Sequence, residues 1–499
     1  MSRRRQFFIN GILLTVVGLS IRSVSLAFNS FITRAVGAEG IGLFTLIMNI
    51  YGFAITFATS GISLTVTRLT AEAIGEGRGG ECRKIMRNAT IYCLFFSVAA
   101  ALVTFLFAEQ FSIRFVGDGR GEMPLRILAF SLIPLSLSSA IGGYFVGVKR
   151  VGKNALMQVL AQVFKILITL FSVFVFSGKG TVFTVIALTV SITLTEIFCF
   201  LVLFVEYVFD RKKNGELSKT VKSKFSNITD MALPLAFSAY IRSALITLEH
   251  TLIPRGLYKR GDSVTEALAS YGILHGMVVP MLLYPMGVLT SFAGLLVPEF
   301  AESLARGEKG RMSRLAGEAL ESTLAYATAS AVLIYFFAEE LGYVMYDSYE
   351  AGHYISLMAC VIPIMYLDHV ADSMLKGIGE HVYSMWVNII DAALSVFLVW
   401  FLIPRMGIGG YALVIVIMEG FNFVLSVGRL YKKLPFKIDA LSAFILPLLA
   451  SLGAVFLSKT LFIMCGKESS GLWFFLKLVF SVCIFIAAYT FMKRKKANA

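Results

Sequence analysis

The sequence predicts an all-α polytopic membrane protein with about fourteen transmembrane helices. Of its 499 residues, 57% are hydrophobic and 15% are charged, whereas soluble chains average about 25% charged residues. Many apolar runs exceed about 18 residues, which is the length that a membrane-spanning helix needs. The runs do not alternate between polar and apolar residues, as the short strands of a membrane barrel do.

The apolar runs set the order of the predicted helices, with boundaries good to a few residues. The first run follows Arg3-Arg4-Arg5 and resembles a secretory signal, but it is too long and contains Arg22. We therefore interpret it as the first membrane helix. The predicted spans are residues 7–36, 41–70, 85–108, 124–148, 154–176, 181–207, 228–254, 268–300, 315–338, 351–376, 382–403, 408–430, 439–460 and 471–492.

Basic residues concentrate in alternate loops. The longest loop, residues 211–224, holds six of them, while the opposite side carries scattered charges and one acidic loop at 339–350. The positive-inside rule therefore predicts that both termini are cytoplasmic in a bacterial cytoplasmic membrane, which an even number of spans satisfies. The net charge of +14 is explained by these orientation signals, so we expect no nucleic-acid partner.

An internal repeat predicts two related lobes. Ile21-Arg22-Ser23 returns as Ile241-Arg242-Ser243, and Pro134 and Gly147 have counterparts in Pro363 and Gly377. Six helices separate the copies, so both start from the same side and are parallel repeats. We expect an N-terminal lobe at 1–209, a cytoplasmic linker at 210–226, a C-terminal lobe at 227–434, and two further helices within 435–499.

The first helix carries a polar strip. Arg22 lies near its middle, Asn29 is two helical turns further on, and Arg34 is near the far end. A charge at that depth costs roughly 2.5–3.5 kcal/mol on insertion scales, so it should face a wet cavity or a partner. We predict that these three residues bind substrate.

Later helices carry further candidate substrate residues. On helix seven Arg242 and Glu249 are two turns apart on one face, and Arg255 follows. Lys165 and Glu196 lie at similar depth on the adjacent helices five and six. Either they form a structural ion pair or they line a cavity; for Arg242 and Glu249 the repeat favours the cavity.

An acidic group occupies the second half. Asp368, Asp391 and Glu419 lie within predicted helices, with Asn388 one turn from Asp391 and Asp230 at the start of helix seven. Helix capping is the alternative for Asp230. An oxygen-rich set can bind Na⁺ or carry protons, so Asp230, Asn388 and Asp391 are a candidate cation or proton site. We expect no other cofactor.

No enzyme motif is present: the sequence has no P-loop, HExxH or GxSxG, and no large domain outside the membrane. The six cysteines form no CxxC and are interpreted as packing residues. Pro280 and Pro285 are expected to bend helix eight.

The fourteen spans, the parallel halves and the first-helix stretch SIRSVSLAFNSFITRAVGAEGIGLF resemble the multidrug/oligosaccharidyl-lipid/polysaccharide exporter superfamily. The similarity is greatest to the polysaccharide-exporter branch that contains stage V sporulation protein B, with the MurJ-type lipid II flippases more distant. The resemblance implies two lobes around a cavity that opens alternately to each side, and an undecaprenyl-diphosphate-linked saccharide as cargo. Arg22 and Arg34 match arginines of the flippases' first helix, whereas Phe28 stands at the middle position.

Three functions compete. The first is a flippase for a lipid-linked oligosaccharide, acting as a monomer among membrane lipids. The alternative is a multidrug/cation antiporter of the same superfamily, for which the arginines and Lys165 are less suitable than an acidic cavity. The third is a polytopic glycosyltransferase or ligase, which would need a sizeable outer loop with acidic catalytic groups, but the one candidate loop, residues 339–350, is short.

Overall fold

The computed structural model describes residues 3–76, 79–117, 119–148, 150–176, 180–213, 226–464 and 471–497. Every regular element among these residues is helical. The α-helices are α1 Arg3–Thr59, α2 Ile62–Gly75, α3 Cys82–Leu106, α4 Ala108–Phe111, α5 Glu122–Gly147, α6 Val151–Phe176, α7 Thr181–Lys213, α8 Ser226–Arg260, α9 Val264–Gly272, α10 Val279–Leu283, α11 Met286–Ala305, α12 Lys309–Phe336, α13 Ala338–Tyr346, α14 Tyr349–Met358, α15 Ile362–Gly377, α16 His381–Met406, α17 Ile408–Lys433, α18 Leu446–Met464 and α19 Gly471–Ala497. Three π-helical segments, Ser112–Val116, Ile273–Val278 and Leu441–Ile445, adjoin α4, α10 and α18.

Within the described residues, 14 helical stretches are long and apolar enough to cross a membrane. The number agrees with the sequence prediction, and the chain is a multi-pass membrane protein. One predicted span differs from the structure: the span 268–300 is divided into Val264–Leu283 and Met286–Ala305. The predicted spans 7–36 and 41–70 meet at Gly37, where α1 is kinked, so the continuous stretch Arg22–Gly75 contains parts of two helices joined without a loop.

Glycine marks the boundary between the first two predicted spans. Gly37 has φ 79° and ψ 171°, a non-helical conformation that kinks α1 without inserting a loop. A stretch of 54 residues would be about 80 Å long if straight, far more than one bilayer crossing needs. A second break follows at Ser60 and Gly61, where φ is 43° and 70°. The hydroxyl of Tyr92 donates to the Ser60 carbonyl at 3.1 Å and so satisfies backbone exposed by this break.

Proline explains the division of the predicted span 268–300. The helix ends at Leu283, and Pro285 is the residue that precedes the first turn of α11. The expected bend in this region is confirmed. It is a full interruption because proline lacks the N–H needed to continue the helix ladder.

Residues 35–272 form one compact unit. In it, α5 packs against α2, α3 and α7. Its core contains Val66, Tyr92, Tyr144 and Phe145, all buried. The close crossing of α2 and α5 depends on glycine: a Cβ at Gly143 would lie 2.5 Å from a backbone oxygen of α2. Such small-residue contacts replace the hydrophobic driving force that lipid removes.

Residues 1–34 and 273–499 form the second compact unit. Here α15 packs against α11, α12 and α17. Tyr366, Val370 and Met374 of α15 are fully buried, as is Phe300 of α11. The last two helices, α18 and α19, pack on each other, and α18 also contacts α12.

Within each unit taken separately, one helix makes three extensive contacts: α5 with α2, α3 and α7, and α15 with α11, α12 and α17. The internal repeat remains a prediction. Gly147 ends α5 against α2, and Gly377 ends α15 against α11. The lobe boundaries 1–209, 210–226 and 227–434 remain a prediction, and residues 214–225 of the linker lie outside the described part of the chain.

Candidate functional site

Arg22 lies on the first part of α1 with its side chain exposed. The glycine at the start of α11 makes room for it: a Cβ at Gly287 would lie 2.5 Å from Cδ and 3.0 Å from Nε of Arg22. Beside it, Ser23 Oγ and Tyr284 Oη are 2.6 Å apart. In the described part of the chain, no carboxylate lies within ion-pair distance of Arg22. Its charge is therefore available to an anion.

Tyrosines hold the broken helix that supports Arg22. Tyr366 of α15 donates to the Leu282 carbonyl at 2.7 Å, and Tyr326 of α12 donates to the Pro285 carbonyl at 2.8 Å. The two hydroxyls donate to carbonyls on either side of the interruption, and the Pro285 carbonyl also accepts from the Val288 N–H at 3.2 Å. The charge of Arg22 also acts on Tyr366 and His369. The sequence prediction missed Tyr284, Gly287 and Tyr366.

Arg34 is engaged by the protein itself. Its guanidinium donates to the carbonyls of Met345 at 2.9 Å and Tyr343 at 3.2 Å, and also to that of Val344. These are carbonyls of the last turn of α13, where an arginine satisfies orphan acceptors and favours the helix dipole. The contacts support a structural task for Arg34, and its predicted contact with substrate is untested.

Asn29 is similarly occupied. Its amide donates to the carbonyl of Gly276 at 3.1 Å, within the π-helical segment Ile273–Val278. π-Helical turns leave carbonyls poorly satisfied, and side-chain amides are suitable partners for them. Substrate binding by Asn29 also remains a prediction.

The predicted residues of helix seven lie on α8, in the 35–272 unit. Arg242 is exposed and Arg255 half-buried. No ion pair to either guanidinium is found in the described residues. Glu249 acts electrostatically on buried Tyr271. The hydroxyl of Tyr271 lies 3.1 Å from His250 Nδ1 and accepts from Asn49 at 2.9 Å.

Lys165 of α6 and Glu196 of α7 are half-buried in the same unit. Glu196 is affected by the charge of Lys165. No ion pair within 4 Å joins them in the described part of the chain. The structure therefore brings the two charges into electrostatic range without direct contact.

The acidic group lies in the 1–34/273–499 unit, apart from Asp230, which is exposed on α8 of the other unit. The carboxylates of Asp368, Asp391 and Glu419 act on one another. The amide of Asn422 donates to Oδ1 of Asp391 at 3.0 Å. Asn388 instead donates to the Ser384 carbonyl of its own helix at 2.6 Å.

Among the described residues, no three His, Cys, Asp or Glu side chains are grouped to hold a metal ion. The binding of Na⁺ or protons by Asp230, Asn388 and Asp391 remains a prediction. Sequence reasoning missed Asn422 and Ser426, although Glu419, Asn422 and Ser426 follow the i, i+3, i+7 spacing of one helix face.

Comparison with known proteins gives consistent relatives. A family model described as polysaccharide biosynthesis protein matches residues 8–304, and the MatE model matches residues 263–401. Stage V sporulation protein B of Bacillus subtilis (strain 168) is 25% identical over 442 residues, covering 87% of this chain and 85% of that protein. Lipid II flippase MurJ of the same organism is 22% identical over 392 residues, covering 73% of this chain and 71% of that protein.

Among solved structures, lipid II flippase MurJ in its inward closed conformation matches with a TM-score of 0.74 at 13% identity, covering 97% of this chain and 100% of that chain. This likeness shows the fold. The match to residues 8–304 extends over more than half of the 499 residues. The chain therefore belongs to the polysaccharide biosynthesis protein family, within the multidrug/oligosaccharidyl-lipid/polysaccharide exporter superfamily.

Proposed function

We propose that this protein is a flippase that moves an undecaprenyl-diphosphate-linked saccharide, either lipid II or a polysaccharide repeat unit, across the bacterial cytoplasmic membrane by alternating access. The observation that carries the proposal is Arg22, a guanidinium on a membrane-spanning helix with no carboxylate partner among the described residues. A charge placed there is costly unless it meets water or a ligand.

A diphosphate is the ligand that suits such a group. It carries about two negative charges, and transfer of a bare multiply charged group into hydrocarbon is prohibitive. Guanidinium offers paired, charge-assisted hydrogen bonds in a planar fork that matches phosphate oxygens. Arg242 of α8 is a second exposed guanidinium of the same kind. The polyprenyl chain stays in lipid while the headgroup crosses.

The relatives support the same class of cargo. One of them is named a lipid II flippase, and the matching family model is described by polysaccharide biosynthesis. Exposed cations on α1 and α8 are what an anionic headgroup requires and what a cationic drug would avoid. No catalytic step is assigned to any residue.

A multidrug/cation antiporter is the second candidate. It is favoured by the MatE match over residues 263–401 and by the acidic group around Asp391, because carboxylates attract organic cations. We propose instead that this acidic group couples transport to Na⁺ or H⁺. The two candidate functions differ in the groups that contact the cargo: guanidinium groups in the flippase and carboxylates in the antiporter.

The test uses purified protein in vesicles that contain a fluorescent polyprenyl-diphosphate saccharide, with headgroup translocation as the readout. Arg22→Ala and Arg242→Ala should each abolish translocation or nearly so, and Arg22→Lys should retain part of it because charge remains while the fork is lost. Arg260→Ala, an exposed arginine at the end of α8, is the matched control and should remain active.

A rival interpretation holds that Arg242 serves only to neutralise Glu249. Under it, Arg242→Ala/Glu249→Ala should regain the translocation that Arg242→Ala loses. We expect no recovery in the double variant. Recovery would overturn the assignment of Arg242 to anion binding. Efflux of a cationic dye that Arg22→Ala leaves unchanged, with no translocation of the saccharide by the wild type, would replace the flippase assignment with the antiporter.

A further inference from the structure

The 35–272 unit contains an apolar cavity of about 360 Å³. It is bounded by α1, α3, α8 and the segment from α4 into the π-helical turn Ser112–Val116. Phe53, Phe57, Val103, Phe111, Phe115 and Leu248 supply most of its wall. It contains none of the residues to which substrate binding or coupling is assigned above.

Thr247 also lines the cavity, and its hydroxyl is already hydrogen-bonded within the protein. It donates to the Ser243 carbonyl at 2.9 Å and to the Asn49 carbonyl at 3.2 Å. Apolar cavities of this kind exclude water, since a water molecule needs two to four polar partners. If the cavity were empty, its lining residues would lack dispersion contacts on that side. In a membrane, lipid hydrocarbon chains can supply these contacts.

The cavity reaches the surface of the protein. Phe53, Val103 and Leu248 line it and are 37%, 48% and 41% exposed. On α3, Leu102 and Leu106 beside Val103 are also exposed, as expected for a helix face in contact with lipid. A chain from the bilayer can therefore enter from the side.

The size of the cavity suits one acyl chain. A cavity of about 150 Å³ takes one benzene molecule, so 360 Å³ corresponds to roughly a dozen carbon atoms. A long polyprenyl chain would leave most of its length outside. Packed rings give the wall a defined shape: the centroids of Phe111 and Phe115 are 5.8 Å apart in an edge-to-face arrangement.

Positive charge flanks the cavity. Arg114 is exposed and lies in the π-helical turn between Phe111 and Phe115. Arg255 is seven residues after Leu248 on α8, so it lies on the same helix face about 10 Å further along. Neither arginine makes an ion pair or side-chain hydrogen bond with another described residue. An anionic headgroup complements them.

We infer that this cavity is a binding site for one acyl chain of an anionic membrane phospholipid, with Arg114 and Arg255 holding the phosphate. Release from bulk lipid gives an acyl chain no hydrophobic gain. Selectivity must therefore come from packing in the cavity and from the headgroup charge. The cavity wall contains neither Arg22 nor Arg242, to which cargo binding is assigned, whereas Arg255, a sequence candidate for substrate binding, is here assigned to the phospholipid.

The experiment is native mass spectrometry of the full chain, purified from vesicles of equal parts phosphatidylglycerol and phosphatidylcholine. We expect one retained phosphatidylglycerol per chain. Ala244→Phe, which fills the cavity from an exposed position in its wall, should reduce retention at least fivefold. Ala239→Phe on the same helix is exposed and outside the wall, and it should retain the lipid.

The headgroup is tested separately. Arg114→Gln and Arg255→Gln should each reduce the preference for phosphatidylglycerol over phosphatidylcholine about fivefold. Arg87→Gln, at the opposite end of α3 and exposed, should not. Equal retention in Ala244→Phe and Ala239→Phe overturns the site, as does displacement of the lipid by polyprenyl phosphate. A preference that survives both arginine changes overturns the anionic headgroup.

Discussion

The Asn422 amide on α17 donates a 3.0 Å hydrogen bond to Oδ1 of Asp391 on α16. The bond fixes the carboxylate in the group it forms with Asp368 and Glu419. It also gives a partner to one oxygen of a carboxyl group within a membrane-spanning helix, where an ionisable group without partners is costly. The proposed coupling to Na⁺ or H⁺ is assigned to this group.

The first prediction concerns coupling. Asp391→Asn should reduce any Na⁺ or proton dependence of transport, because an amide accepts the same hydrogen bond but carries no charge. Expression and thermal stability should stay near those of the wild type. Initial rates in vesicles with imposed Na⁺ and pH gradients give the measurement.

Asn422→Ala is its control, since the carboxylate remains and only the hydrogen bond is lost. It should keep the ion dependence with a shifted half-saturation. If Asp391→Asn shows unchanged dependence on both gradients, Asp391 has a structural task only, and the proposed coupling is wrong.

The second prediction concerns Arg34, whose guanidinium serves three carbonyls at the end of α13. Arg34→Ala leaves acceptors of Tyr343, Val344 and Met345 without this donor, which should lower stability by about 1–3 kcal/mol. Thermal unfolding in detergent and amide exchange of α13 report the loss. Arg405→Ala removes one hydrogen bond to the Phe401 carbonyl and a cation–π contact with the Phe401 ring, both within one helix, and should have a smaller effect. Loss of transport with unchanged stability would instead assign Arg34 to substrate.

The third prediction concerns the glycines of the repeat. A Cβ at Gly147 would lie 2.8 Å from the Thr67 carbonyl oxygen, and one at Gly377 would lie 3.0 Å from that of Val297. Gly147→Ala and Gly377→Ala should each destabilise the protein by about 1–3 kcal/mol through overpacking. Gly453→Ala is the control, because its Cβ would meet open space within α18. There the helix preference of alanine should stabilise by up to about 1 kcal/mol. Equal effects at all three sites would contradict the close crossings.

The fourth prediction concerns pH. Glu380 lies between α15 and α16, 2.6 Å from Lys433 and 2.7 Å from Arg429. Hydrogen bonds from Lys433 and then Arg429 lower the pKa of Glu380 below its ordinary value. A lowered folded-state pKa means that the stabilisation is complete above the unfolded pKa, about 4.3. It is lost as the pH falls through the folded pKa.

Glu380→Gln should therefore lower the free energy of unfolding at pH 7 by on the order of 1 kcal/mol, with no difference at a pH below the folded pKa. Glu302→Gln, in an exposed pair with Arg306, should show a smaller difference. Melting temperatures across pH 3–8 give the measurement. A difference that persists unchanged at the acidic end would exclude the ionised carboxylate as its source.

Much of the architecture follows from the sequence alone. Hydropathy determines that the chain is helical and crosses the membrane repeatedly, because each span must satisfy its own backbone in lipid. The spacing of Arg22 and Arg242, Pro134 and Pro363, and Gly147 and Gly377 indicated the repeat, since each pair occupies the same place in its copy. The carboxylates of Asp368, Asp391 and Glu419 could also be recognised in the sequence, because ionisable residues in membrane helices are rare.

Tertiary structure decided which of those polar residues are engaged. Arg22 and Arg34 look alike in the sequence, yet Arg22 lies over Gly287 while Arg34 serves the last turn of α13. That distinction depends on residues more than 250 positions away, which no local pattern encodes. The interruption at Pro285, the partner of Asp391 and the cavity beside Phe111 likewise arise from packing between helices. Hydropathy is a property of each helix, whereas the availability of a charge is a property of its neighbours.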